Sequence, residues 1–162
     1  MGLFDWFRKK KAEEESTDVT DFEDVVSEIY DTVFEKCSYG DAIEKLNEHE
    51  RVFFVAQLLE QEVDNGGFDQ FFYNSSGDYA GEVVDAFTKI GALKTAAICQ
   101  KALAVFGGTV PTDRDEREEL LDRLDCEDVL GECDDAFYAY EDDLEALYYA
   151  YIMKYREFFD VQ

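Results

Sequence analysis

Apolar side chains recur at spacings of three and four residues along most of the chain, which is the period of an amphipathic helix. The first of these stripes begins at Phe22 and the last reaches Phe158. No convincing two-residue alternation of apolar and polar residues accompanies them, and a single proline is present to interrupt a helix. The sequence therefore predicts an all-α fold, a single compact helical domain of about six or seven helices.

Glycines and capping residues set the predicted helix boundaries. Asn47, with Glu50 three residues later, has the form of a capping box at the start of a broadly apolar, central helix. Thr112 is expected to cap a short acidic helix, and the last helix is expected to run from Asp134 to about Phe158 with one aromatic face. Glycine adopts left-handed backbone angles freely, and it follows the apolar stripes at Gly40, Gly66–Gly67, Gly91 and Gly107–Gly108.

The first 17 residues differ in composition from the rest, and we expect a flexible tail, residues 1–17, before a domain that spans residues 18–162. Apolar and aromatic side chains come first in the tail and cations follow them: Leu3, Phe4, Trp6 and Phe7, then Arg8–Lys11. A secretory signal has the opposite order, and no apolar run approaches the length of a membrane span. A cytoplasmic location is therefore expected, and weak contact of these residues with a membrane surface is the alternative.

The charge of the chain is strongly unbalanced: 40 acidic residues stand against 15 basic ones, a formal net charge of −25. Such a field repels nucleic-acid phosphates, which excludes direct nucleic-acid binding by the folded body, and it attracts basic partners. Residues 113–135 are the densest acidic stretch, with 12 acidic and 3 basic residues, whereas residues 68–112 have 4 and 3. Acidic residues of this nearly neutral middle, Asp69 among them, are expected to contribute little to binding.

The acidic stretch supplies the predicted partner-binding residues. As one helix, its 23 residues would carry about one carboxylate per 3 Å, near the roughly 3.4 Å between phosphates along one DNA strand. An ordinary solvated acidic surface is the alternative interpretation. The expected contacts to a basic protein surface are Asp113, Asp115, Glu116, Glu118, Glu119, Asp122 and Asp125.

The most distinctive segment follows the predicted central helix. It contains the pattern NGGF-x-QFF-x-NSSGD, whose defining residues are Asn65, Gly66, Gly67, Phe68, Gln70, Phe71, Asn74, Ser75, Ser76, Gly77 and Asp78. This pattern resembles a bacterial all-helical family long labelled a domain of unknown function, one member of which is described as a DNA mimic. Ile90–Ala92 and Glu141–Leu144 give looser support, and the similarity extends over about residues 20 to 160. The resemblance implies an all-helical fold and points to a protein that binds a transcription factor in place of its operator.

Two interpretations of the motif differ in what its polar side chains do. In the structural one, the glycines end a helix and the polar side chains satisfy backbone groups at the next helix start. The aromatic side chains then anchor the loop in the core against the central helix; they are Phe68, Phe71 and Phe72. In the functional interpretation, a polar pocket for a ligand or partner strand is formed by Gln70, Asn74, Ser76 and Asp78.

Residues for catalysis or metal binding are scarce. The four cysteines, at positions 37, 99, 126 and 133, form no C-x-x-C pair, and His49 is the single histidine, so the usual zinc sites cannot be built. A serine nucleophile at Ser75 or Ser76 would need a base that nothing in the sequence places nearby. We therefore expect no metal, no cofactor and no enzyme activity. Reduced cysteines are expected, and a Cys126–Cys133 disulfide is the alternative.

The leading hypothesis is a cytoplasmic, non-enzymatic protein-binding module, a DNA mimic that occupies the basic DNA-binding surface of a regulator. An immunity- or antitoxin-type protein that neutralises a basic effector is the alternative, because the same charge distribution suits both. A small-molecule-binding protein that uses the Asn74–Asp78 loop is a third hypothesis. A homodimer stays open beside a monomer.

Overall fold

The computed structural model describes residues 22–161, and within them no strand is present and seven α-helices follow one another. The predicted all-α class and the number of helices are confirmed. The helices are α1 (22–36), α2 (Glu48–Tyr73), α3 (Val83–Ile90), α4 (Leu93–Leu103), α5 (Arg114–Arg123), α6 (Glu127–Tyr138) and α7 (Leu144–Lys154). Short 3₁₀ turns occupy Ser38–Gly40, Ile43–Lys45, Ser75–Glu82, Ala104–Phe106 and Arg156–Phe158.

Helix α2 lies at the centre of the fold. It packs against α3, α5, α6 and the 3₁₀ turn Ser75–Glu82. Phe34 of α1 contacts its Phe54, with ring centroids 4.7 Å apart. The predicted capping box fixes its first turn: the Asn47 side chain accepts the Glu50 N–H at 3.0 Å, and the Glu50 carboxylate accepts the Asn47 N–H at 2.9 Å. The wide apolar surface of α2 is thus buried on several sides at once.

Two glycines break α2 and let it resume. Gly66 leaves the helical region and Gly67 has a left-handed φ of +77°, yet Phe68 to Tyr73 are helical again. A Cβ atom on Gly67 would lie 2.5 Å from the carboxylate of Asp134, which accepts the Phe68 N–H at 2.8 Å. Backbone angle and space therefore both require glycine at position 67, and the short second segment of the helix is capped by a side chain from α6.

The three motif phenylalanines are fully buried, as the structural interpretation predicts. Phe68 contacts Phe137 of α6, and Phe72 contacts both Phe71 and Phe106, which follows α4. The triad continues the helix that contains Phe53 and Leu59 beyond its kink, and all five residues belong to one buried core cluster. The cluster joins α2 to α4 and α6.

The boundaries of α5 and α6 differ from the predicted ones. Asp113, not Thr112, caps α5 by accepting the N–H of Glu116 at 3.0 Å. Helix α6 begins at Glu127 and passes through Gly131 instead of beginning after it. A glycine inside a helix costs only about 1 kcal/mol relative to alanine, which the packing of the rest of α6 offsets.

The aromatic stripe predicted for one final helix is divided between α6 and α7. Helix α6 ends at Tyr138, and Tyr140 has a left-handed φ of +43°. Asp143 then caps α7 by accepting the N–H of Ala146 at 3.2 Å. Short acidic side chains favour caps over helix interiors, which accounts for the break that the aromatic spacing did not indicate.

The predictions for the tail, residues 1–17, and for a domain start at residue 18 lie outside the described residues. Among residues 22–161, no helix is both long enough and apolar enough to cross a membrane.

Candidate functional site

A buried arginine holds the motif loop against the acidic helix α5. Arg117 is fully buried, although it lies in the densest acidic stretch of the chain. Its Nε donates to the Phe72 carbonyl at 2.6 Å, and its Nη2 donates to the Asn74 carbonyl at 2.8 Å. Its Nη1 donates to the carbonyls of Pro111 and Thr112 at 2.9 and 3.2 Å. The guanidinium thus joins the end of α2 to the residues that precede α5.

Asp78 supplies the charge partner of this arginine. Its Oδ1 accepts from Nη2 of Arg117 at 2.9 Å, so the fifth donor of the guanidinium is also used. Gly77 makes the approach possible, because a Cβ atom there would lie 2.5 Å from the Arg117 Nε. Gly77 therefore leaves room for the Arg117 side chain and Asp78 pairs with it, so the motif and α5 are joined as one structural unit.

Arg117 is the residue that sequence reasoning missed. The surrounding acidic residues obscured it, since a basic residue among carboxylates is typical of a solvated surface. A signal was present in its spacing: Leu121 and Leu124 lie four and seven residues later, which is the inward face of the same helix. A charged residue on that face indicates a buried partner elsewhere in the chain.

The other polar residues of the motif also bond to protein groups. The Glu62 carboxylate accepts from Gln70 Nε2 at 2.7 Å and from Asn74 Nδ2 at 3.0 Å. Ser76 Oγ donates to the Phe71 carbonyl at 2.9 Å. The expected capping of the next helix by the Asn74 side chain is wrong, because no side-chain cap is made there. The loop is therefore packed and hydrogen-bonded, and the four residues proposed for a ligand pocket are engaged within the fold.

The two segments that gave looser support for the resemblance meet in space. Asp142 accepts from the backbone N–H of Thr95 at 2.8 Å and from its hydroxyl at 3.0 Å, so the α6–α7 connection caps the start of α4. Gly91 ends α3 with a left-handed φ of +93° and lies beside Leu147 of α7. Both segments therefore fix how the helices join, and neither carries an evident reactive group.

The predicted partner-binding residues lie along α5 and just after it. Asp113 serves as the helix cap, while Asp115, Glu116 and Asp125 are exposed. Two surface pairs one helical turn apart neutralise part of the charge, Arg114 with Glu118 at 2.8 Å and Arg123 with Glu119 at 3.2 Å. Because Arg117 is withdrawn into the fold, the outer surface of α5 is more acidic than its composition indicates.

A groove lies where α5, α6 and the last turn of α2 meet. It has a volume of about 600 Å³. Three leucines lie at its base, Leu121, Leu124 and Leu130, and two of them, Leu121 and Leu130, are buried. Carboxylates line its rim, and among residues 22–161 none of them pairs with a lysine or arginine: Asp69, Asp122, Glu127 and Asp134. We call this feature the acidic groove.

The acidic groove brings together carboxylates that lie in different charge regions of the sequence. Asp122 was expected at the binding surface, whereas Asp69 was assigned to the neutral middle of the chain. The structure places both on one rim, because the kink at Gly66–Gly67 turns the end of α2 toward α6. The positions of Glu127 and Asp134 on α6 complete the rim, and no local pattern indicated their convergence.

The raised pKa values of residues that line the acidic groove reflect the negative potential of the groove. The hydrogen bond from the Tyr73 hydroxyl to Asp122 raises the pKa of Tyr73 to about 12. Burial raises the pKa of the Asp134 carboxyl. Burial, together with the nearby Asp69 carboxylate, raises the pKa of the Cys126 thiol. The environment thus disfavours a further negative charge and favours an incoming cation.

Cysteine and metal chemistry find no support in the described part of the chain. All four cysteines are buried and free, so the alternative of a Cys126–Cys133 disulfide is wrong. No group of three or more histidine, cysteine, aspartate or glutamate side chains within residues 22–161 is arranged to hold a metal ion.

These features define a class: an all-helical, strongly acidic protein in which a polar loop joins the central helix to an acidic helix whose carboxylates lie at the surface. The family model of the DMP19-like proteins matches residues 44–155, which is more than half of the chain, and the protein therefore belongs to the DMP19-like family. Comparison with curated proteins and with solved structures finds no significant match. The matched range includes the motif loop, Arg117 and the whole acidic groove.

Proposed function

We propose that the protein is a non-enzymatic binding module whose α5–α6 surface occupies the basic, DNA-binding surface of a regulatory protein in place of DNA. The observation that carries this proposal is the acidic groove, in which four rim carboxylates surround three leucines. Membership of the DMP19-like family supports it, since the family resembled by the motif includes a DNA mimic. The exposed carboxylates of α5 extend the same negative surface.

The groove suits the side chains with which proteins contact phosphate. Lysine and arginine carry a charged head group on an apolar stem, so the stem can lie along the leucines at the base while the head group reaches a carboxylate. Unpaired surface carboxylates also steer a basic partner toward the site before contact. A DNA-binding protein presents many such cations on one surface.

The packed motif loop favours this proposal over small-molecule binding. A ligand in a pocket formed by Gln70, Asn74, Ser76 and Asp78 would have to replace hydrogen bonds that the fold already makes. Each such buried group left without its partner would cost about 1–3 kcal/mol.

The test is capture of the partner from a lysate of the source organism, followed by affinity measurements with the purified pair. We expect the dissociation constant to rise steeply with salt, because exposed charges are screened over about 8 Å at physiological ionic strength. We also expect duplex DNA to compete for the partner. An affinity that is independent of salt, or a complex that DNA does not affect, would contradict the proposal. A captured nuclease, in place of a regulator, would indicate toxin neutralisation through the same surface.

A further inference from the structure

We propose that the N-terminal segment of this chain, residues 3–11, binds in the acidic groove, which the proposed function assigns to a basic partner. The test of this binding requires no partner, so either proposal can fail while the other holds.

The segment and the groove match in chemistry. The segment has four apolar or aromatic side chains followed directly by four cations: Leu3, Phe4, Trp6, Phe7 and Arg8–Lys11. The groove has three leucines at its base and four rim carboxylates that no cation among residues 22–161 pairs with. Residues 1–12 form the one strongly basic stretch of a chain whose net charge is −25. Because the segment belongs to the same chain as the groove, its effective concentration at the groove is always high.

The groove is large enough for part of the segment, since its volume of about 600 Å³ lies inside the range of roughly 300–1,000 Å³ typical of small-molecule sites. Leu121 and Leu130 are themselves buried and offer an aromatic side chain little apolar surface, so the attraction between the cations of the segment and the rim carboxylates is the main favourable term. The cations would then lie at the rim, where salt screening acts on them.

The N-terminal end of α1 lies beside the part of α2 that leads to the groove. Helices α1 and α2 run antiparallel, since Phe34 contacts Phe54 while Val26 lines a cavity together with Asp64. The N-terminal end of α1 therefore points toward the kink of α2, and the rim residue Asp69 lies five residues beyond Asp64.

The linker between the segment and α1 is long enough to reach the groove. Four residues of helix separate Val26 from Phe22, which is about 6 Å, and five residues separate Asp64 from Asp69, which is about 8 Å. Residues 12–21 can span roughly 33 Å when extended, so they bridge these distances and the width of a cavity without strain.

Trp6 makes the inference directly measurable, because it is the single tryptophan of the chain. The experiment records Trp6 fluorescence and its quenching by acrylamide in the full chain at low salt, beside a free peptide of residues 1–12. We expect blue-shifted emission and weaker quenching in the full chain, and loss of both effects at high salt. Both effects should be independent of protein concentration.

A matched pair of variants locates the bound segment. The double charge reversal Asp69→Lys and Glu127→Lys alters two exposed rim residues, and we expect it to return Trp6 emission to that of the free peptide. The control reversal Asp41→Lys and Glu44→Lys changes the net charge equally at exposed positions outside the groove, and it should leave the emission blue-shifted. Circular dichroism would establish that both variants are helical.

Four results would overturn the inference. The first is emission in the full chain equal to that of the free peptide. The second is a blue shift that grows with protein concentration, which would indicate exchange of the segment between two copies. The third is a shift that the rim variant does not abolish, which would place the segment elsewhere. The fourth is a shift that appears only with vesicles containing phosphatidylserine, which would assign the segment to a membrane surface.

Discussion

At the scale of single residues, Arg117 explains why the motif has its particular polar residues. All five N–H donors of the guanidinium have acceptors: the carbonyls of Phe72, Asn74, Pro111 and Thr112 and the carboxylate of Asp78. A buried charge is tolerated only when its hydrogen bonds are complete, and a planar guanidinium completes them where lysine cannot. The residues of the loop pattern therefore bind the buried side chain of Arg117.

Replacing this arginine should destabilise the protein strongly. We expect Arg117→Met to lower the free energy of unfolding by about 3–5 kcal/mol, because buried carbonyls and the Asp78 carboxylate lose their partner. Arg123→Met is the matched control, since Arg123 forms an exposed pair with Glu119 and its loss should cost about 0–1 kcal/mol. Urea unfolding measures both. Equal losses for the two variants would show that Arg117 does not lock the loop.

Glu60 should give the protein an unusual pH dependence. Burial raises the pKa of the Glu60 carboxyl, which accepts hydrogen bonds from Tyr140 and Tyr148. Because the folded state then binds a proton more readily than the unfolded state, this group stabilises the fold increasingly as pH falls from neutral through its raised pKa. Thermal unfolding between pH 7 and pH 5 should show that the gain is smaller in Glu60→Gln. A variant with the pH profile of the unaltered protein would refute this role; Glu116→Gln, at an exposed position, is the control.

At the scale of elements, the sequence predicted correctly the helix ends that depend on neighbouring residues alone. The Asn47–Glu50 capping box and the left-handed ends at Gly91 and Gly107 depend on neighbouring residues alone, and each is present. The extent of α6 depends on packing, so Gly131 misled the boundary prediction. Arg117 and the rim of the acidic groove depend on contacts between residues distant in sequence, and no spacing within one helix indicates them.

The two glycines Gly67 and Gly131 should respond oppositely to the same substitution. Gly67→Ala should destabilise the protein by about 1–2 kcal/mol or more, because its φ is +77° and the new Cβ would meet Asp134. Gly131→Ala should stabilise it by about 0.5–1 kcal/mol, because the position is helical and open space surrounds the new methyl group. Chemical denaturation of both variants measures the difference. Destabilisation by Gly131→Ala as large as that by Gly67→Ala would contradict the assigned geometry.

At the scale of the whole molecule, the protein keeps most of its negative charge at the surface, and each of the two buried charged residues in its described part has a partner, Arg117 with Asp78 and Glu50 with Lys36. Like-charge repulsion across a net charge of −25 opposes folding, and the aromatic core around α2 offsets it. The exposed carboxylates contribute little to stability, so they can be replaced without loss of the fold. Because the surface carboxylates are not needed for folding, their role in partner binding can be tested by neutralising them.

The measurement that tests the central claim most directly compares two variants that each lose four exposed carboxylates. One neutralises the α5–α6 surface: Asp115→Asn, Glu116→Gln, Glu127→Gln and Asp128→Asn. The other neutralises the same residue types on α1 and the turn after it: Asp24→Asn, Asp31→Asn, Glu35→Gln and Glu44→Gln. With the captured partner, we predict that the first variant slows association about tenfold and the second changes it little, because steering depends on charge at the contact surface. Equal effects of the two variants, or a larger effect of the second, would contradict the assignment of the acidic helices as the binding surface.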